Sequence, residues 1–259
     1  MKRREFITLL SGAIAWPVTV CAQQPIAVVG FLSGGQPDSF APSAPLGAGL
    51  REGLTEVGFV EGKNVEFETR WAHGQFDHLP SLAADLIGRS PGVIVTNTLP
   101  AALAAKAATT SIPVVFVIGE DPIKVGLVTS LNRPSANVTG VTNFMNVLGA
   151  KRMELASELV PEGQELALLV NYSNPNAEPD AVDLRAAADA LGKRLVVLKA
   201  SSETEVEAAF VAAAQRNVAA LFINIDPFFF GHRQQFALFA ARYRLPRSTR
   251  CAISFLQAG

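Results

Sequence analysis

From Pro25 onward the apolar and polar positions follow two alternating periods. Ile26–Leu32 is a continuous apolar run that ends in Ser33-Gly34-Gly35, which predicts a buried parallel strand and a turn. Leu46, Leu50, Leu54 and Val57 recur at helical spacing, and Gly58 stands where a helix C-cap glycine belongs. Val65–Trp71 alternates as a strand. Leu79–Ile87 reads as helix, Val93–Thr96 as strand, Ala101–Ala108 as alanine-rich helix and Pro113–Ile118 as strand. Three strand–helix units followed by another strand predict a parallel sheet covered by helices.

Residues 120–143 break the rhythm, being rich in Asn, Pro, Gly, Ser and Thr with one helical hint near Gly126–Leu131. This stretch reads as ligand-side loop plus crossover. The alternation then restarts. Helix is predicted over 150–159, 181–191, 205–215 and 234–242, and strand over 166–170, 195–198 and 220–225. The fold class expected is therefore α/β, with two doubly wound open-sandwich lobes divided near residue 142 and joined by right-handed crossovers. Ligands of such sheets bind at the carboxyl ends of the strands, where the topology switches.

The length of 259 residues fits one large domain or two small ones. Positive and negative charges nearly balance, 22 against 23, which argues against a nucleic-acid partner. The N-terminus changes the picture more. Lys2, Arg3 and Arg4 precede a mostly apolar stretch from Phe6 to Val20, too short to span a membrane, and Val20-Cys21-Ala22 suits a cut before Gln23. Residues 1–22 thus read as a cleaved export signal with a twin-arginine character, which places the mature chain in the periplasm. Removal leaves 19 basic and 22 acidic groups, and Cys251 alone, so no intrachain disulfide is expected.

Several chemistries are missing. No Walker A string is present, and Gly47-Ala48-Gly49 with Gly53 misses dinucleotide spacing and lies inside a helical stripe. There is no G-x-S-x-G elbow and no H-E-x-x-H. His73 and His78 lack partners at ligand spacing, so neither a metal nor a cofactor is expected. Polar residues gather instead just after the predicted strands. They are Ser33-Gly34-Gly35, Asn97-Thr98 and Gly119-Glu120-Asp121-Pro122 in the first lobe, and Asn171 to Asn176 and Asp226-Pro227-Phe228 in the second. Such residues serve ordinary turns and caps. Placed at strand ends in both lobes, they also suit a small polar ligand. Loop amides and helix N-termini would take a carboxylate, Asp121 or Asp226 an ammonium, and Phe228–Phe230 an apolar group.

Several strings resemble exported bacterial ABC-transporter substrate-binding proteins of the tryptophan/tyrosine type. They include Met1-Lys2-Arg3-Arg4-Glu5-Phe6-Ile7, Val29-Gly30-Phe31-Leu32-Ser33-Gly34-Gly35, Gly58-Phe59-Val60-Glu61-Gly62 and Pro100-Ala101-Ala102-Leu103-Ala104-Ala105-Lys106. Asp121-Pro122-Ile123-Lys124, Leu131-Asn132-Arg133-Pro134, Asn137-Val138-Thr139-Gly140-Val141, Asn174-Pro175-Asn176-Ala177 and Asp226-Pro227-Phe228-Phe229 extend the likeness to about residue 246. The resemblance implies a type I periplasmic-binding-protein fold whose lobes (23–142 and 143–246) close on a solute. It implies a monomer that serves a membrane permease and ATPase, without catalysis. Carried over by position, its strand-end pocket falls on Ser33, Asn97, Thr98, Gly119, Asp121, Asn171, Asn174 and Asp226.

Residues 247–259 depart from that family's pattern, whose members continue beyond the equivalent of Pro246. The tail is read as frame-shifted, with natural divergence as the alternative, and the C-terminal part of the fold is expected to be missing. An exported α/β enzyme acting on a sugar- or nucleotide-like substrate, or a non-functional truncated product, are the alternatives.

Overall fold

A computed structural model describes residues 26–245 except 135, 147, 159 and 161–162. The expected signal, both cysteines and the divergent tail lie outside the described residues. Among the described residues eight strands form two sheets, all of whose pairings are parallel. The first has the order β2-β1-β3-β4-β5, built from Ala27–Ser33 (β1), Val65–Trp71 (β2), Val93–Thr96 (β3), Val114–Ile118 (β4) and Val138–Thr142 (β5). The second has the order β7-β6-β8, built from Glu165–Val170 (β6), Arg194–Lys199 (β7) and Ala220–Ile223 (β8).

Each sheet is the middle of three layers, because each presents apolar side chains on both faces. In the first, Leu32, Ile94, Val114 and Phe116 face the helices α2 (Leu79–Gly88) and α3 (Leu99–Ala108). Val29, Phe31, Val65 and Val95 face Phe40 and the helix α1 (Pro45–Glu56). In the second, Leu166, Leu168 and Val170 pack on α4 (Gly149–Glu158) and α5 (Ala177–Ala190). Ala167, Leu169 and Leu221 pack on α6 (Glu203–Gln215), α7 (Pro227–Gly231) and α8 (Arg233–Arg242). Burial on both faces is why these strands read as continuous apolar runs.

The sheet order puts a topological switch in each lobe. The chain leaves β1 for β2 on one side and reaches β3 on the other, so the switch lies between β1 and β3. In the second lobe it lies between β6 and β8. Crevices open at the carboxyl ends of such strand pairs.

Gly58 caps α1 as expected. It has φ +90°, its N–H reaches the Thr55 carbonyl at 3.0 Å, and the Phe59 N–H reaches Leu54 at 2.8 Å. That is the Schellman pairing. Three local readings needed correction. Residues 120–143, read as loop and crossover, contain β5. This edge strand buries Val138 and leaves Val141 exposed, so it carries little apolar pattern. Its Gly140 lies against the Phe116 carbonyl and ring, with no room for a Cβ. The helical hint at Gly126–Leu131 is instead a set of turns, held by the Lys106 ammonium on the carbonyls of Gly126 and Leu127 at 2.8 and 3.0 Å. Finally, strand β8 stops at Ile223, two residues early, and Pro227–Gly231 forms a short helix that buries Phe229 completely.

Candidate functional site

The carboxyl ends of the two sheets face each other and touch. A Cβ placed on Gly35, just after β1, would lie 3.0 Å from Pro227 at the start of α7. Lys124, in the turns after β4, pairs with Asp183 of α5 at 2.9 Å. Between these contacts Glu120 crosses the divide. Its Oε1 accepts from Asn176 Nδ2 of the second lobe at 3.1 Å and from Asn146 Nδ2 of the crossover at 3.1 Å.

In the first lobe the groups at the switch point divide into two kinds. Some shape the turn. Ser33 is fully buried, and its Oγ accepts from the Gly35 N–H at 3.0 Å. Thr98, the N-cap residue of α3, turns its Oγ1 to the Gly34 N–H at 3.2 Å and makes no cap bond within its own helix. Others have no partner. Thr96 Oγ1, Asn97 Oδ1 and Asn146 Oδ1 are buried oxygens without a hydrogen bond among the described residues. Thr96 ends β3 and Asn97 follows it. Asn146 lies over the end of β4, its Oδ1 2.5 Å from where a Cβ on Gly119 would be, so glycine there leaves room for the amide. Buried polar oxygens are nearly always paired, so three orphans at one sheet end call for a ligand or water.

The second lobe presents the same residue types in a closed network. Asp226 is buried and caps α7, accepting at Oδ1 from the N–H groups of Phe228 and Phe229 at 2.9 and 3.4 Å. Asn171 Nδ2 also donates to Oδ1 at 3.0 Å, and Asn174 Nδ2 to Oδ2 at 2.7 Å. The two amide oxygens in turn accept from the N–H groups of Ser173 and Asn176. Burial pushes the Asp226 carboxyl above the ordinary range, and these donors oppose that shift. Asn171, Asn174 and Asp226 are therefore brought together, but onto one another.

Asp121 is the other departure. Its Oδ1 accepts from the N–H groups of Ile123 and Lys124 at 2.9 and 3.3 Å, a turn-capping role. Gly119 lies at the cleft as a backbone surface. Residue-type reasoning did not single out Thr96, Glu120, Asn146, Asn176 or Asp180. Glu120 and Asn176 stood in strings already noted at strand ends, while Asn146 lies in the crossover, where periodicity carries no signal. His73 and His78 are exposed, and no cluster of three or more potential metal ligands occurs among the described residues. No helix among them is long and apolar enough to cross a membrane.

Comparison with known proteins decides the family. The family model for ABC transporter substrate binding proteins matches residues 26–246. The chain belongs to this family. It is 25% identical over 178 residues to the tyrosine-binding protein of Clostridioides difficile, covering 69% of this chain. It spans about half, 51%, of that relative's length. A conserved domain protein from Vibrio cholerae superposes with a TM-score of 0.70 at 27% identity, covering 85% of this chain and 73% of the other. An ABC domain from Streptococcus pneumonia in complex with L-Trp gives 0.68 at 22% identity, covering 85% and 72%. The fold is thus of the type I periplasmic-binding-protein kind.

Proposed function

We propose that this protein is the solute-binding component of an ABC importer, holding a small molecule between lobes divided near residue 142. An aromatic amino acid or a related compound is the class we favour. The observation that carries the reading is the set of three unpartnered buried oxygens at the first lobe's strand ends, Thr96 Oγ1, Asn97 Oδ1 and Asn146 Oδ1. The two amide oxygens accept only, and the Thr96 hydroxyl accepts or donates, so the solute presents donors, as an ammonium or hydroxyl does. The uncapped first turn of α3 beside them suits an anionic end of the same solute. Ser33, Thr98 and Gly119 form the walls, and Asn171, Asn174 and Asp226 hold the opposing face. The tyrosine-binding relative and the neighbour in complex with L-Trp support an aromatic side chain.

In this reading the chain has no catalytic role. It is exported by residues 1–22, works as a periplasmic monomer and delivers its solute to a permease and an ATPase. Calorimetric titration of the chain with L-tyrosine and L-tryptophan tests it, with phenyl carboxylates lacking the ammonium as comparison. Saturable binding of the amino acids and weaker binding of the comparison set is expected. Equal or absent binding throughout overturns the ligand class. Trp71, which ends β2 opposite Ser33, gives an independent fluorescence signal.

A further inference from the structure

Glu120 stands two residues after β4, and its carboxylate is held by amide donors. Besides the amides of Asn146 and Asn176, its Oε2 accepts from the Gly119 N–H at 3.1 Å. On the second lobe, Asp180 of α5 stands one helical turn after the Asn176 that bonds Glu120, its N–H on the Asn176 carbonyl at 3.0 Å, and its Oδ2 accepts from Asn224 Nδ2 at 2.9 Å. Asp183 follows one turn later on α5, Asp226 lies behind at the start of α7, and Asp121 stands beside Lys124. Lys124 is the nearby cation, and its ammonium is bound to Asp183. Among the described residues neither Glu120 nor Asp180 has a cation within ion-pair distance. One carboxylate from each lobe therefore meets across a partly buried divide with amide donors between them and no countercharge in contact.

We propose that Glu120 is a proton-operated latch, in which closing the cleft sets its carboxylate against Asp180 of the other lobe and proton uptake favours the closed form. The proposal rests on the two-lobe, solute-binding reading above. Opening separates the lobes and returns both groups to water. Closing keeps the Asn176 bond whether or not Glu120 is charged, because a protonated carboxyl retains an acceptor oxygen. Only the charged form suffers the desolvation and the like-charge repulsion.

The titration follows the same direction. Burial pushes Glu120 up, and the charge of Asp180 adds to it, against hydrogen bonds from the Gly119 N–H and Asn176. Burial likewise pushes Asp180 up, opposed by Asn224 and Lys124 and helped by Asp183 and Asp226. Both groups hold protons more tightly in the closed form than in the open one. Closure is therefore fully favoured below the ordinary carboxylate range and weakens as pH rises through the raised values.

Small-angle scattering from the whole chain, with no solute added, tests this between about pH 5 and about pH 8. The parent is expected to have the smaller radius of gyration at the lower pH. Glu120→Gln keeps the acceptor oxygen and cannot ionise, so it should be more compact than the parent at the higher pH and respond less to pH, Asp180 alone remaining to titrate. Asn176→Ala removes the cross-cleft bond and should be extended at both. A parent radius that does not change with pH, or a Glu120→Gln chain that keeps the parent's response, overturns the latch. Circular dichroism checks that the variants fold, and Asp180→Asn carries the same test if Glu120→Gln does not. A pH response weakened in Glu120→Gln together with no binding of L-tyrosine would leave the latch standing and remove the solute reading. Binding of L-tyrosine with closure equal at both pH values would remove the latch alone.

Discussion

The ends of β3 and β8 carry similar side chains to opposite effect. After β8, Asp226 gathers four donors, and the asparagines that supply two of them spend their own oxygens on nearby N–H groups. After β3, Thr96 and Asn97 end in oxygens that receive nothing. A satisfied buried network rigidifies its surroundings, whereas an unsatisfied group costs about 1–3 kcal/mol until something pairs with it. The first arrangement is scaffold. In the reading proposed above, the second stores a cost that a solute relieves. Composition alone cannot separate them, because Asn, Asp and Thr serve both roles.

The largest test of that contrast is Asp226→Ala. It strips the cap from α7 and leaves two buried amides without their acceptor. A loss of about 4 kcal/mol or more in urea unfolding is expected, from two charge-assisted bonds worth about 1.5–3 each and a cap worth about 1. A loss under about 1 kcal/mol would break the claim that this network holds the lobe. Asn97→Ala should behave in the opposite sense. It removes an orphan, so the empty protein should unfold at the same or slightly higher urea concentration. L-tyrosine affinity should fall about tenfold, the worth of one buried hydrogen bond of about 1.4 kcal/mol. A variant that binds as tightly as the parent would place the solute away from β3.

How much of this was legible beforehand follows from the same physics. Strands buried on both faces wrote themselves into the chain as apolar runs, and α1 announced its end through Gly58. Strand β5 did not, since an edge strand that buries chiefly Val138 needs no alternation, and Gly140 reads as a loop residue until Phe116 is seen against it. At the site, the turn after each strand was foreseeable from strand order and turn chemistry. Which oxygens stay unpaired was not, because Asp226 meets Asn171 over a separation of 55 residues and Glu120 meets Asn176 over 56. Pairings at that range depend on how distant segments pack, and no local pattern encodes them.

Gly119→Ala sharpens the contrast on a finer scale. Its Cβ would stand 2.5 Å from Asn146 Oδ1, so the amide must swing away. The neighbour is the end of a flexible side chain, and a threefold loss of L-tyrosine affinity, about 0.6 kcal/mol, is expected with the unfolding midpoint unchanged. A loss as large as that of Asn97→Ala would mean that Asn146 is held rigidly as a primary ligand contact.

The smallest effect belongs to the ion pair between Lys124 and Asp183, whose side chains are 72% and 68% exposed. Pairs this open gain little from Coulomb attraction and lose side-chain freedom, so the geometry across the cleft exaggerates their weight. Lys124→Ala should leave the melting midpoint within measurement error. Its removal should nonetheless be felt at Asp180, which Lys124 pulls toward the charged form. In scattering, the pH response attributed to Glu120 and Asp180 should then move slightly upward. A melting midpoint that drops in Lys124→Ala as far as in Asp226→Ala would make an exposed pair equal to a buried network, and would break the comparison of paired and unpaired strand ends at its root.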